Sequence, residues 1–302
     1  MQNTERQDIY TRITGKIIAS LEAGVRPWIK PWSGENAAGR ITRPLRHNGI
    51  PYSGINILLL WASSVEQGFD SPSWMTFRQA LELNAHVRKG EKGSLVVYAN
   101  SITKTEQNDA GEDVERDIHF MKGFTVFNCC QIEGLPEHYY AKPEPKFTAV
   151  ERIEHAEAFF AATKADIRYR GGQAYYAQGA DYIQMPPIES FRDAESFYAT
   201  LGHECVHWVK HPSRLDRDFG RKSWGDAGYA REELVAELGS AFLCADLELT
   251  PEVRDDHASY IASWLLGVLK NDSRAIFTAA AHAQRAVDYL HRLQPEQREV
   301  AA

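Results

Sequence analysis

The sequence predicts an α+β protein built as two domains, and three observations carry that reading. The chain has 302 residues, and at roughly 100–200 residues per domain that length fits two domains or one large one. Pro136, Pro143 and Pro145 fall within ten residues and read as an extended connection. On both sides of it, runs of helical period alternate with runs of strand period. The expected boundaries are 1–138 for the first domain, 139–147 for the linker and 148–298 for the second domain.

In the first domain, Tyr10, Ile13, Ile17 and Leu21 recur at spacings of three and four, which makes one apolar helical face ending at Gly24. A loop with Pro27 and Pro31 follows. Helices are expected from Asn56 to Gln67 and from Thr76 to Asn84. The β-rich runs Gly93–Tyr98 and Phe120–Cys130 flank an acidic hairpin tip over Glu106–Asp113.

The second domain opens with a helix over Thr148–Lys164. Short strands are expected at Ile167–Tyr169, Ala174–Ala177 and Tyr182–Met185. Asp193 then caps a long helix to His211. A loop over 212–227 leads into a helix over Ala230–Leu247, and a last helical region containing Tyr260, Trp264, Leu265 and Val268 starts at Pro251.

Composition sets limits. With 43% hydrophobic and 25% charged residues, the chain has the make-up of a soluble globular protein. It has no run of about 18 apolar residues, which excludes a spanning helix. The polar first 15 residues lack a secretory h-region. Four cysteines, Cys129, Cys130, Cys205 and Cys244, are too few and too irregular for a disulfide scaffold. A cytoplasmic protein without a membrane partner is expected. The net charge of −7 is uneven: residues 1–100 carry +4, residues 101–136 carry −4 and the remainder −7. The basic excess points to a polyanionic partner for the first domain alone.

His203-Glu204-Cys205-Val206-His207 fits H-E-x-x-H. On a helix, residues i and i+4 share a face, so His203 and His207 can reach one ion. Glu204 then sits where it can take a proton from a water at an open coordination position. A site of this kind needs a third protein ligand. His211 lies a further turn along, too far for the same ion. Lys210 and Ser213 stand where a longer three-histidine motif needs Gly and His. A carboxylate from the next helix remains, and Glu232, Glu233 and Glu237 are all available. Ala236, Gly239 and Ser240 would let that helix approach another closely. The Glu-x-x-x-Glu spacing resembles the second motif of gluzincin metallopeptidases. That resemblance implies Glu233 as the ligand and Glu237 as the carboxylate supporting a ligand histidine. One divalent ion is expected, zinc first and Mn2+ second. Cys205 reads as a small buried hydrophobe, and Tyr229 as a candidate oxyanion partner.

In the first hundred residues, aromatic and basic residues interleave. Trp28, Lys30 and Trp32 lie in the proline-bracketed loop, and Arg88, Lys89 and Lys92 in the turn Val87–Gly93. Stacking platforms beside basic groups are what single-stranded nucleic acid binding requires, and glycine-rich basic turns suit phosphates. Trp61 and Trp74, expected on helices, read as core.

These residues together resemble the ArdC type of antirestriction protein. The matching pieces of the first domain are Pro27–Trp32, Tyr52–Asn56, Trp74–Gln79, Val87–Gly93 and Val126–Gln131. Those of the second are Gly171–Tyr176, Asp181–Pro186, His203–His207, Arg214-Leu215 and Tyr229–Glu237. The resemblance covers nearly the whole chain. It implies a single-stranded-DNA-binding domain followed by a zincin-like metallopeptidase domain, in a plasmid-type protein that protects incoming DNA from restriction. The implied protein substrate is a restriction-system component or another DNA-bound protein. The alternative is a non-enzymatic DNA-binding protein whose metal is structural or serves partner contact.

Overall fold

The computed structural model describes residues 8–26, 28, 42–107, 113–140, 148–220, 223, 226–250 and 258–295. The elements of the first domain are α1 (Ile9–Glu22), β1 (Leu45–Arg46), α2 (Ile55–Gln67), β2 (Ser73–Met75), α3 (Phe77–Glu82), β3 (His86–Val87), β4 (Ser94–Gln107), β5 (Asp113–Asn128) and β6 (Ile132–Glu133). Local chemistry sets their ends. Asp8 caps α1 by accepting from the Tyr10 amide, and Thr76 and Gln79 form a reciprocal capping box on α3. Gly68 ends α2 at φ 70°, where a side chain would be strained.

The main sheet runs β1-β2-β5-β4, and β3 pairs antiparallel with β6. β4 and β5 form a long antiparallel ribbon, in register from Ser94↔Val126 to Gln107↔Asp113. The ribbon extends well past the apolar runs that mark strands in the sequence. Its outer part alternates polar residues such as Ser101, Thr103 and Thr105, so no one-sided apolar stripe announces it.

The second domain comprises α4 (Ala149–Ala162), β7 (Asp166–Tyr169), β8 (Tyr175–Ala177), β9 (Tyr182–Met185), α5 (Ala194–Trp208), α6 (Ala227–Leu247), α7 (Ala258–Asn271) and α8 (Ala275–Arg292). Its sheet runs β7-β9-β8, with β7 parallel and β8 antiparallel to β9. The C-terminal helical region is two helices, broken where Asp272 accepts from the Ala275 amide.

One core crosses from the first domain to the second. Ile13 and Ile17 of α1 and Leu58 and Trp61 of α2 belong to the same buried cluster as Val206, Phe242, Ile276 and Val287. Polar ties follow the same path. Thr14 Oγ1 donates to the Ser273 carbonyl at 2.6 Å, and Arg43 Nη2 donates to Asp246 Oδ2 at 2.6 Å. Residues 141–147 of the expected linker lie outside the described residues.

Candidate metal centre

α5 carries the H-E-x-x-H residues. The sequence reading gives it one core face through Tyr198, Leu201, Cys205 and Trp208. In the structure every residue from Ser196 to Trp208 is buried, because α6 covers one side and α4, β8 and β9 the other. Asp193 caps its start, accepting from the Ser196 amide at 2.7 Å. The helix stops at Trp208, and His211 turns to Ser213 instead, with Nδ1 2.8 Å from Oγ. His211 is therefore no ligand, as the spacing argument requires. Burial pushes the Cys205 thiol pKa up, which fits an inert, packed cysteine.

The close approach of α6 to α5 supplies the third donor. A Cβ at Gly239 would stand 2.7 Å from Val206 Cγ2, and Ser240 Oγ donates to the Ala199 carbonyl at 2.9 Å. The small residues that the sequence marks for close packing do meet α5. That contact brings Glu233 opposite the two histidines. His203 Nε2 and His207 Nε2 are 3.1 Å apart. Each lies 3.5 Å from a Glu233 carboxylate oxygen. Among the described residues, these three form a group able to hold a metal ion.

The donor set fits a divalent cation. Metal–ligand bonds near 2.1 Å at tetrahedral angles place donors about 3.4 Å apart, close to the separations here. Two imidazoles and one carboxylate suit zinc and also accept manganese. Glu204 is almost fully buried and precedes Cys205 on the same helix.

A second carboxylate holds His207 from behind. Glu232 Oε1 lies 2.9 Å from His207 Nδ1, which leaves Nε2 for an ion. Burial disfavours charge on His207, but the carboxylates of Glu233 and Glu232 outweigh it and raise its pKa to about 9 in the metal-free protein. For Glu232 burial again opposes the charged form, yet the hydrogen bonds from Arg217 and His207 win and lower its pKa to about 2. Glu233, which is partly buried, is held well below the usual carboxylate range by His207 and His203, against the opposing effect of desolvation.

Two sequence expectations are corrected here. Glu237 does not support a ligand histidine. It accepts from Trp28 Nε1 at 3.3 Å and lies 3.9 Å from Arg26 Nη1. The supporting carboxylate is Glu232, gripped by Arg217, which no sequence motif marks. The one signal in the sequence is the adjacent Glu232-Glu233 pair. Trp28 is not a stacking platform either, being fully buried against the second domain. Lys30 and Trp32 lie outside the described residues. In the Val87–Gly93 turn, Arg88 is engaged by Glu91, with Nη2 2.6 Å from Oε1, so its charge is balanced locally. Lys89 and Lys92 are exposed.

Three further sequence-marked residues converge. Arg214 holds Asp181 with both terminal nitrogens, reaches the Tyr176 hydroxyl at 3.3 Å and donates through Nε to the Trp208 carbonyl at 2.8 Å. Its guanidinium also stacks 3.9 Å from the Trp208 ring. The cluster fastens the C-terminal end of α5 to the small sheet.

A helix carrying H-E-x-x-H, completed by a glutamate from the next helix, defines a zincin-like metallopeptidase fold, here behind an N-terminal module. Residues 154–282 match the zincin-like metallopeptidase family model, and residues 7–127 match the N-terminal domain of anti-restriction factor ArdC. The chain is 46% identical over 299 residues to protein y4eC of Sinorhizobium fredii (strain NBRC 101917 / NGR234), covering 96% of this chain and 93% of that one. It is also similar to the crystal structure of antirestriction ArdC protein from plasmid R388. The metal-free form aligns with a TM-score of 0.79 and 48% identity over 95% of this chain and 98% of that one. The Mn(II)-bound form gives 0.77 and 44% over 96% and 100%. The chain belongs to the ArdC antirestriction family. A DNA primase TraC of Escherichia coli is 37% identical over 97% of this chain, which spans 28% of the primase.

Proposed function

We propose that the protein binds single-stranded DNA through its N-terminal module and carries a divalent-metal-dependent peptidase site, and that it protects incoming DNA from restriction. The observation that carries the peptidase reading is the convergence of His203, His207 and Glu233 on one point, with Glu204 beside His203. A structural site has no need of an acidic residue beside the three ligands, and a closed structural site uses four protein ligands. A bound divalent cation would supply Lewis acidity. Glu204 would accept a proton from the attacking water and pass it to the departing amine. Glu232 would hold the His207 ring in place. The Mn(II)-bound form of the R388 relative supports a divalent ion and does not choose between zinc and manganese.

Support for the DNA reading comes from exposed groups on the N-terminal module. Lys89 and Lys92 flank Gly90, whose φ of 92° opens the turn. Tyr98 and Phe124 are half exposed on the ribbon, and Lys122 lies 5.4 Å from the centre of the Phe120 ring. They supply the ring faces that Trp28 does not. A restriction-system component or another DNA-bound protein is the proposed substrate, brought near by DNA tethering.

One observation favours a second reading, a non-enzymatic protein. His203, Glu204 and His207 are all buried, as a structural metal would be. Glu204→Gln separates the two. The amide keeps the size of Glu and cannot take the proton, so peptidase activity should fall by roughly two to four orders of magnitude. Metal content and DNA binding should stay at wild-type level. If protection of incoming DNA in a restricting recipient is lost with it, proteolysis is the cause. Equal protection by wild type and variant assigns protection to DNA binding alone.

A further inference from the structure

Resting on the metal-site reading above, we infer that Arg217 is a positioning residue for the metal centre, acting through Glu232 on His207. Arg217 follows α5 in the loop before α6 and is 5% exposed. Its Nε donates to Glu232 Oε2 at 2.9 Å and its Nη2 to Glu232 Oε1 at 2.8 Å. This is the two-point fork that fixes a carboxylate in plane as well as in place. Nη2 also donates to the Val206 carbonyl at 2.8 Å, one residue before His207. The guanidinium thus grips both the backbone of the ligand helix and the carboxylate behind the ligand ring. Because Glu232 Oε1 lies 2.9 Å from His207 Nδ1, a fixed Glu232 means a fixed ring with Nε2 toward His203 and Glu233.

Charge gives the arrangement a second effect. Glu232 and Glu233 are neighbours on α6, and both carboxylates touch His207. Arg217 neutralises Glu232, with Lys210 Nζ a further 3.9 Å away. Of the two glutamates that face His207, only Glu233 would then meet an ion uncompensated, and the ion would keep more of its Lewis acidity than if Glu232 were uncompensated as well.

Stability alone does not account for this pair. A buried ion pair is commonly no more stabilising than apolar residues of similar size. Here, moreover, Arg217 Nη1 is buried with no hydrogen-bond partner among the described residues, a cost the fold carries while keeping the other two nitrogens on Glu232 and Val206. Lysine in its place would keep the charge but lose the fork.

The test is Mn(II) titration of the full-length protein, followed by the resonance of free Mn(II), for wild type, Arg217→Lys, Glu232→Gln and the double variant. Each single change should weaken Mn(II) binding about 10- to 100-fold. The double variant should be little weaker than either, because both act through one ring. Thermal melting of the metal-free proteins reports folding separately, and the inference requires the weakening to appear at temperatures where the variants are folded. In the Zn(II)-loaded wild type, the His207 Nδ1 proton should give a protected, downfield resonance that shifts or vanishes in Arg217→Lys. Unchanged Mn(II) affinity and an unchanged resonance in folded Arg217→Lys would overturn the inference. Failure of the wild type to bind Mn(II) or Zn(II) would instead overturn the metal-site reading beneath it.

Discussion

Each donor at the centre has a distinct expected loss. His203→Ala or Glu233→Ala should leave the purified protein with little of its divalent metal by elemental analysis, since three protein ligands become two. Glu237→Ala should retain it, because Glu237 serves Trp28 and Arg26. His203, Glu204 and His207 are legible from spacing alone, because helical period dictates which residues share a face. Glu233 is separated from its neighbours only by resemblance. The same period misassigns Glu237: it places Glu233 and Glu237 on one face, but cannot show that Arg217 waits beside the adjacent position, 232. The Asp181–Arg214 pair makes a separate prediction. Asp181 is held below the usual carboxylate range by its hydrogen bonds from Arg214, helped by Tyr176 and opposed by partial burial. A depressed pKa contributes stability above the unfolded-state value, about 3.9, and loses it as pH falls through the folded value. Asp181→Asn should thus melt below wild type at pH 7, with the gap closing below about pH 4. Asn tolerates the φ of 50° at this position, so thermal melts at several pH values read the charge rather than backbone strain.

Among the elements, the contact between α5 and α6 decides whether ligands carried by two helices can meet. Gly239 is the narrowest point, with no room for a Cβ against Val206. Val206 is flanked by Cys205 and His207, so any outward shift of α6 moves Glu232 and Glu233 away from the histidines. Gly239→Val should lower stability by about 1–3 kcal/mol through overpacking, measured by denaturant titration of the metal-free protein. It should also reduce metal content, whereas Gly220→Ala should leave metal content alone: Gly220 has open space around its missing Cβ, and its φ of 69° makes that substitution a control for strain alone. Helix α6 is readable from its length, although the sequence reading begins it at Ala230 and the structure at Ala227, behind the capping Asp226. The division of the C-terminal region into α7 and α8 is not, because both halves are apolar-patterned and only the short Asp272–Arg274 turn separates them.

At the scale of the whole molecule, the proline-rich connection marks a division in sequence that the core does not follow, since α1 packs on α7 and α2 on α8 within one buried cluster. Sequence pattern cannot reveal such packing, because an apolar helical face records that it is buried and not against which partner. The proposed DNA binding is therefore to be tested in the full chain, where Trp28 donates to Glu237 and the N-terminal module keeps its packing against the second domain. Lys89 and Lys92 are exposed, and the hydrogen bond of Lys92 to the buried Gln131 is made by its backbone carbonyl, so reversing both side-chain charges should leave the fold intact. If they meet phosphates, Lys89→Glu with Lys92→Glu should weaken binding to single strands of every sequence alike. The slope of log affinity against log salt should also become shallower by about 1.4, at roughly 0.7 for each phosphate that is no longer neutralised. Tyr98→Ala with Phe124→Ala should behave differently, costing about 1–3 kcal/mol per base deprived of its stacking partner, with little change in that slope. Fluorescence anisotropy of a labelled oligonucleotide at three or more salt concentrations distinguishes the two patterns. A wild-type affinity that salt does not weaken, or that favours duplex over single strand, would place the basic excess of the first hundred residues in some task other than holding single-stranded DNA.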